Sequence, residues 1–565
     1  MANQKIKVVN GLRWNIAVFV LPWMSMVAAS GANAQDPIVP AQDGLNTQII
    51  QQGDRSVIQG GQLSGDQTNL FHGFNRFNVP TGHTADFQAS PQLQNILGRI
   101  SGGEPSFIHG TIQVSGGTPN LFLLNPAGAV FGPNSQLNVP ASFHFSTANQ
   151  VQFGSEFGLN IFGVGDSSGS VVSALNGDPT GFLFGDPASL VNFGALAVVP
   201  GADLTLIGGT VLNVGTLWAP GGTVTLAAVD GGLVSVGTAD GVLSLELQPE
   251  AIAPTGNIDG GFSPLQLPEL LTGSNLAAAS GVAIDGETGA VTLGQTIVTA
   301  AGGTAIASGS LDASSAAGSG GTVNVLGDRV AVAAGSITAT GPDGGGLVQV
   351  GGGFQGDGPV WNAQNTSVDP LSVINVSATE FGDGGTAIAW ADGYTWFEGT
   401  AIATSGPSGG NGGLIETSGL QFLDASAATI DASAPFGEAG TWLLDPPDLS
   451  VVAGAAGPGV NLVLPAMGAD PAEYSPTATP TIGTSQITDG TIEQNLNAGT
   501  SVTLRATEDI SVQEPIDASP TGNTTLRLEA GSDITVSQNI TFGAMDNTVE
   551  LAAGGNININ ADIAA

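Results

Sequence analysis

Cysteine is absent from this 565-residue chain, and positive charge nearly so: nine Lys and Arg stand against 47 Asp and Glu, with four His. The first absence excludes disulfides, thiolate metal sites and thiol nucleophiles. The second excludes nucleic-acid binding, because no basic footprint is available to neutralise phosphates. Charged residues make up only 10% and aromatics 6%. Beyond the first thirty or so residues no apolar run is long enough to cross a bilayer as a helix. What is abundant is glycine, 86 residues, in a chain that is 41% hydrophobic. Such a composition is too apolar for a solvated coil and suits many short strands joined by turns. The core of such a chain is thin and repeated.

The N-terminus gives an address. Lys5, Lys7 and Arg13 are basic, Ile16 to Leu21 are apolar, and Trp23 to Ala29 continue the run after Pro22. Ala32-Asn33-Ala34 is a small-x-small site ahead of Gln35. Residues 1–34 read as a secretory signal peptide cut between Ala34 and Gln35, which calls for the Sec translocon and signal peptidase. A membrane anchor is disfavoured by the short apolar run. Removing these residues takes away every lysine and leaves six arginines against 47 acids, a formal charge of −41. A surface this acidic repels nucleic acid and anionic lipid and keeps an extended protein soluble; divalent-cation binding by loop aspartates is the functional alternative. An exported chain without disulfides fits a long self-stacking core, and it remains threadable through a pore.

Repeats define the architecture. Ser501–Val512, Thr525–Val536 and Thr548–Ile559 align, with Val502, Leu526 and Val549 spaced 24 and 23 residues apart and Ile516, Ile540 and Ile563 each 14 residues further on. A period near two dozen with two-residue alternation signals a solenoid of three short strands per coil, a parallel β-helix. Stacking sets Arg505 beside Glu529 and lines up Asp509, Asp533 and Asn556 at one corner. A second array opens each unit with paired glycines: Gly320-Gly321, Gly345-Gly346, Gly384-Gly385 and Gly412-Gly413, at steps of 25, 39 and 28 residues. Val191–Phe193, Leu204–Leu206, Val211–Val214 and Val224–Leu226 mark less regular strands upstream. The expected organisation is a first β-helix domain over 35–240, a loose boundary over 241–280, repeats over 281–445, a Pro/Gly/Ala-rich linker or loop over 446–485 (with Val460–Leu464 as one apolar stretch), and repeats over 486–565. About 500 residues at two dozen per coil predict roughly 20 coils and a rod on the order of 100 Å.

The most informative stretch is residues 120–145. Leu121 to Leu124 form a buried-strand run, Asn125-Pro126-Ala127-Gly128 a turn, Val130-Phe131 a second strand, Gly132-Pro133-Asn134 another turn, and Leu137-Asn138-Val139 a third strand. With Asn69-Leu70-Phe71-His72, Phe77–Gly82 and Ile96–Gly103, this stretch resembles the secretion domain of filamentous-haemagglutinin-like exoproteins over about residues 40–240. Ala127 and Ala129 stand where that family usually has Asn and Ile. The resemblance implies an all-β, right-handed parallel β-helix with an N-terminal secretion domain followed by passenger coils. It implies two-partner secretion through an outer-membrane β-barrel transporter with periplasmic POTRA domains, and a secreted or surface location on a Gram-negative-type cell. Asn69, Leu70, Asn125, Pro126 and Gly128 are the expected secretion-motif residues. Adhesion to a host-cell or glycan receptor is the expected task; a structural envelope or matrix role, or a carbohydrate-active β-helix enzyme, is the alternative.

Catalytic chemistry finds little footing. His72, His83, His109 and His144 lie among unrelated turns without metal-ligand spacing. Glycine-rich segments lack the Gly-Lys-Ser/Thr ending of a phosphate loop, and no calcium-binding nonapeptide recurs. A carbohydrate-active β-helix enzyme needs carboxylates gathered on one face. Asp343, Asp383, Asp392, Asp424 and Asp431 instead sit where turns favour aspartate. No enzyme, metal or cofactor is expected.

Overall fold

The computed structural model describes residues 38–154, 161–163, 172–236, 243–244, 282–284, 290–293, 296–299, 303–454, 484–520, 522–543 and 547–564. The expected signal peptide with Ala34 and Gln35, most of 241–280, and Val460–Leu464 lie outside them.

Alternating side chains wind the chain into a coil with three walls. The first wall is a sixteen-stranded sheet whose path runs from Asn69–Arg76 to Thr548–Ala553, every pairing along that run being parallel. The second wall has fourteen strands, and the third is built of shorter sheets. One inward file runs the length of the first wall: Leu70 faces Ile96, Ile96 faces Leu121, Val224 faces Val323, Trp442 faces Val502, and Val502, Leu526 and Val549 stand in register. From Leu70 to Leu526 each such residue is buried only because others stack on it, a contribution of about 1.5–3 kcal/mol for a large aliphatic side chain, and Val549 on the last described rung is half-buried. The architecture is therefore the parallel β-helix expected. Among the described residues, and setting aside two antiparallel edge strands, the first wall has fourteen rungs. Among the described residues, the loop 351–364 and the outer antiparallel strands add length without adding a rung.

The glycine pairs are demanded by space. The second glycine of each pair donates its N–H across the corner, Gly385 to Val376 O at 2.7 Å and Gly413 to Ala403 O at 2.7 Å. A Cβ on Gly413 would lie 2.1 Å from the oxygen of Gly385, and one on Gly385 the same distance from the oxygen of Gly346. The irregular steps stay in register, Thr322 facing Leu347, Leu347 facing Thr386 and Thr386 facing Leu414. The 39-residue coil extrudes residues 351–364, and Gln355 N–H pins that loop to both oxygens of buried Glu416, at 3.2 and 3.0 Å.

Two departures from simple winding matter. A five-stranded sheet with antiparallel pairings, containing Gln150–Phe153 and Pro179–Phe184, accompanies the first wall of the N-terminal region. Its Phe153, Phe162 and Phe182 join the outward Phe71, Leu97 and Phe122 in a second core. Leu121 to Leu124 read as an unbroken apolar run because this wall is buried on both faces. Further on, Ser485–Thr488 lies in the second wall between Phe422–Asp424 and Leu449–Val452, although it follows both in the chain. Helix α1, Asp489–Asn497, then takes the place of a third-wall strand, with Ile492 and Leu496 buried. Its side chains serve both neighbouring rungs: Asn495 Oδ1 accepts from Ile430 N at 2.9 Å and Glu493 Oε1 from Asp517 N at 2.7 Å. The span 446–485 thus holds the wall strand Leu449–Val452 and the start of Ser485–Thr488, and the array expected from 486 begins within that second strand and continues into the helix.

Candidate functional site

The expected motif residues sit at two corners of the N-terminal coils. At the first, Asn69, Asn95 and Asn120 open three consecutive first-wall strands in register. Their amides form a ladder: Asn120 Nδ2 donates to Asn95 Oδ1 at 3.0 Å, and Asn95 Nδ2 to Asn69 Oδ1 at 2.9 Å. Asn69 Nδ2 continues to the carbonyls of Leu175 and Gly177 at 3.1 and 2.7 Å, while Asn95 Nδ2 also reaches Asp178 Oδ1 at 3.0 Å. The ladder thereby ties the coil corner to the segment leading into the outer-sheet strand Pro179–Phe184. Leu70, next to the ladder, is the first inward residue of the core file.

At the second corner Asn125 folds its own turn. Its Oδ1 accepts from Ala127 N at 3.0 Å, and its Nδ2 donates to Glu104 O at 3.0 Å and Ser106 Oγ at 2.9 Å. Pro126 restricts φ ahead of Gly128, which adopts φ +96° and whose N–H returns to Asn125 O at 2.9 Å. Any side chain on Gly128 would strike Ser189 O, 2.5 Å from an added Cβ. Ala129 is buried in the core file of the second wall, in register with Leu190.

Asn69 and Asn125 are 0% exposed, Leu70 is 6% exposed, and of the five only Pro126 is half-buried. The structure brings Leu70 and Asn69 together at one corner and Asn125, Pro126 and Gly128 at another. Neither corner presents a nucleophile with a base; buried amides here satisfy backbone and one another. Asn95 and Asn120 were not singled out in the sequence, although Asn followed by two apolar residues recurs at 69, 95 and 120.

The histidines are scattered. His72 is buried, with Nδ1 3.3 Å from Thr47 Oγ1, and burial pushes it down to about 4. His144 stacks on Phe122 with centroids 4.4 Å apart, and burial lowers its pKa, as it does that of His109. His83 lies near Asp54 at the surface. Among the described residues no group of three or more His, Asp or Glu is placed to hold a metal ion.

A family model, the TPS secretion domain, matches residues 38–260. These residues form a TPS secretion domain. Both motif corners, the amide ladder and the outer antiparallel sheet fall within the TPS domain. The tRNA nuclease CdiA-2 of Burkholderia pseudomallei (strain 1026b) is 27% identical over 170 residues, 28% of this chain and 5% of that protein. The chain thus spans a small part of that relative's length. Among solved structures, the HMW1 secretion domain from Haemophilus influenzae is 21% identical with a TM-score of 0.39, covering 73% of this chain and 99% of that one. The filamentous hemagglutinin secretion domain is 14% identical with a TM-score of 0.30, covering 80% of this chain and 100% of that one. TPS exoproteins are secreted across the outer membrane of Gram-negative bacteria.

Proposed function

We propose that the mature chain is a secreted or surface-displayed adhesin of the filamentous-haemagglutinin type, exported by two-partner secretion. The Sec translocon delivers it to the periplasm, signal peptidase removes residues 1–34, and an outer-membrane barrel with POTRA domains exports it through recognition of the TPS domain. The observation that carries this reading is continuity: the inward file that starts at Leu70 inside the TPS domain runs without a change of wall to Val549. Export and rod are one object.

Burial of Asn69 and Asn125 in the finished coil supports recognition of the motif before folding. A transporter meets these residues before the coil closes, as an extended segment able to add to a sheet edge. After passage, each rung is stabilised only when it stacks, so winding outside the cell opposes return. Deleting the transporter gene is the test: the chain then accumulates in the periplasm, and an unchanged extracellular level overturns the export route. Saturable binding of purified chain to host cells supports adhesion, whereas its absence favours an envelope or matrix role.

A further inference from the structure

Beyond the TPS domain the second wall carries a row of aromatic rings on its outer face. Alternation turns Phe397 into the core and leaves Tyr394 and Trp396 pointing out; on the next rung Leu423 turns in, leaving Phe422 and Asp424 outside. Register sets Tyr394 beside Phe422 and Trp396 beside Asp424. The Tyr394 and Trp396 rings stack at 5.7 Å and 25°, and Phe422 leans on them at 6.4 and 6.5 Å. All three are half-buried on a wall whose inward side Phe397 and Leu423 already close. Carboxylates border the row. Asp369 is committed to Ala334 N, Leu371 N and Ser372 Oγ. Asp424 Oδ1 takes Ser426 N at 3.0 Å. The Glu398 carboxylate hydrogen-bonds to no other described residue; burial, with Asp424 and Asp369 adding to it, holds its pKa above the usual range.

We propose that this row binds an uncharged saccharide chain, pyranose faces lying on Trp396 and its neighbouring rings and hydroxyls donating to Glu398 and Asp424. The inference rests on the adhesin reading and gives that reading a site. A sugar ring offers an apolar C–H face and hydroxyl donors, the complement of aromatic faces beside acceptor-only carboxylates. Sulfated and sialylated glycans are repelled by the Glu398 and Asp424 carboxylates beside the rings, in a chain with 47 acids against nine Lys and Arg. A lone cation is best gripped by rings closing around a point; these rings are spread along two strands, which suits an extended chain.

The test uses the full mature chain run through gels cast with dextran, mannan or galactan, alongside Trp396→Ala, Tyr394→Ala and Trp396→Phe. At least one polymer is expected to retard the wild type. Either alanine variant is expected to weaken that binding about tenfold or more, the scale of an anchoring aromatic, while Trp396→Phe keeps most of it. A urea midpoint equal to that of the wild type confirms that each variant folds. No retardation by any of the three polymers, or equal retardation of all variants, overturns the site, as does a Trp396-dependent fluorescence change with tetramethylammonium in place of sugars. Failure of the wild type to bind cells while a polymer still retards it sinks the adhesin reading and leaves the saccharide site standing.

Discussion

Replacing Asn95 by Ala tests the amide ladder directly. The substitution removes three hydrogen bonds, to Asn69 Oδ1, to Asp178 Oδ1 and from Asn120 Nδ2. Asp178 is exposed and Asn120 half-buried, so water replaces much of what they lose. Asn69 is fully buried, and its Oδ1 is left without a donor, at about 1–3 kcal/mol. Adding the partly compensated bonds brings the expected loss to about 3 kcal/mol. Hydrogen exchange read by mass spectrometry on peptides over residues 69–76 and 95–100 reports it as exchange faster by a factor on the order of 100. Asn95→Asp is the discriminating companion. It keeps the shape but aims a carboxylate oxygen, in place of an N–H donor, at Asn69 Oδ1. Were the corner held by shape alone, Asp would be tolerated; protection equal to wild type in Asn95→Asp would refute the ladder.

Three further outcomes are expected. Gly413→Ala forces a Cβ against the Gly385 carbonyl and destabilises the coil by about 1–3 kcal/mol, measured as a lowered urea midpoint, whereas Gly522→Ala, which meets open space, leaves it unchanged. His72 takes up its proton near pH 4 in the fold against 6.5 for its ordinary value; the unfolded chain protonates first, so the TPS domain loses up to about 3 kcal/mol as pH falls from 6.5 to 4. His72→Leu should flatten that slope in urea midpoints taken across pH. Glu416 behaves oppositely: burial raises it to about 7 from 4.5, so stability present below pH 4.5 is lost as pH rises through 7, again up to about 3 kcal/mol. Glu416→Gln should remove this dependence, and an unchanged pH profile would contradict the assignment.

The parts of the fold legible in the sequence were those with a repeated physical cause. Inward residues recur because each must lie over the last, so the spacing of Val502, Leu526 and Val549 revealed the file. Outer neighbours followed from the same register: Arg505 lies 3.5 Å from Glu529, and Asp509 and Asp533 accept in turn from Asp533 N and Asn556 N at 2.9 and 2.7 Å. Glycine pairs were visible as strand openers, though the reason, a carbonyl in the next coil, is a tertiary fact. The outer antiparallel sheet was not legible, because a strand lying on a wall and a strand within it show the same alternation. Helix α1 left one mark, Ile492 and Leu496 four residues apart. Of the motif corners, the turn at Asn125 was readable from Pro126 and Gly128, but the ladder was not, since amide pairing depends on which coils adjoin.

In the second wall, chain order and stacking order part company once, where Ser485–Thr488 comes to lie beneath Leu449–Val452. A polypeptide leaving a pore N-terminus first lays each layer on the one just finished; here the later layer belongs under the earlier. Leu449–Val452 either waits unpaired on that edge or settles on Phe422–Asp424 and is lifted again when Ser485 arrives. On the proposed export route, winding gains nothing at this one step, and a stalled intermediate trapped during export would be found with residues 422–452 outside the cell and 485 still within.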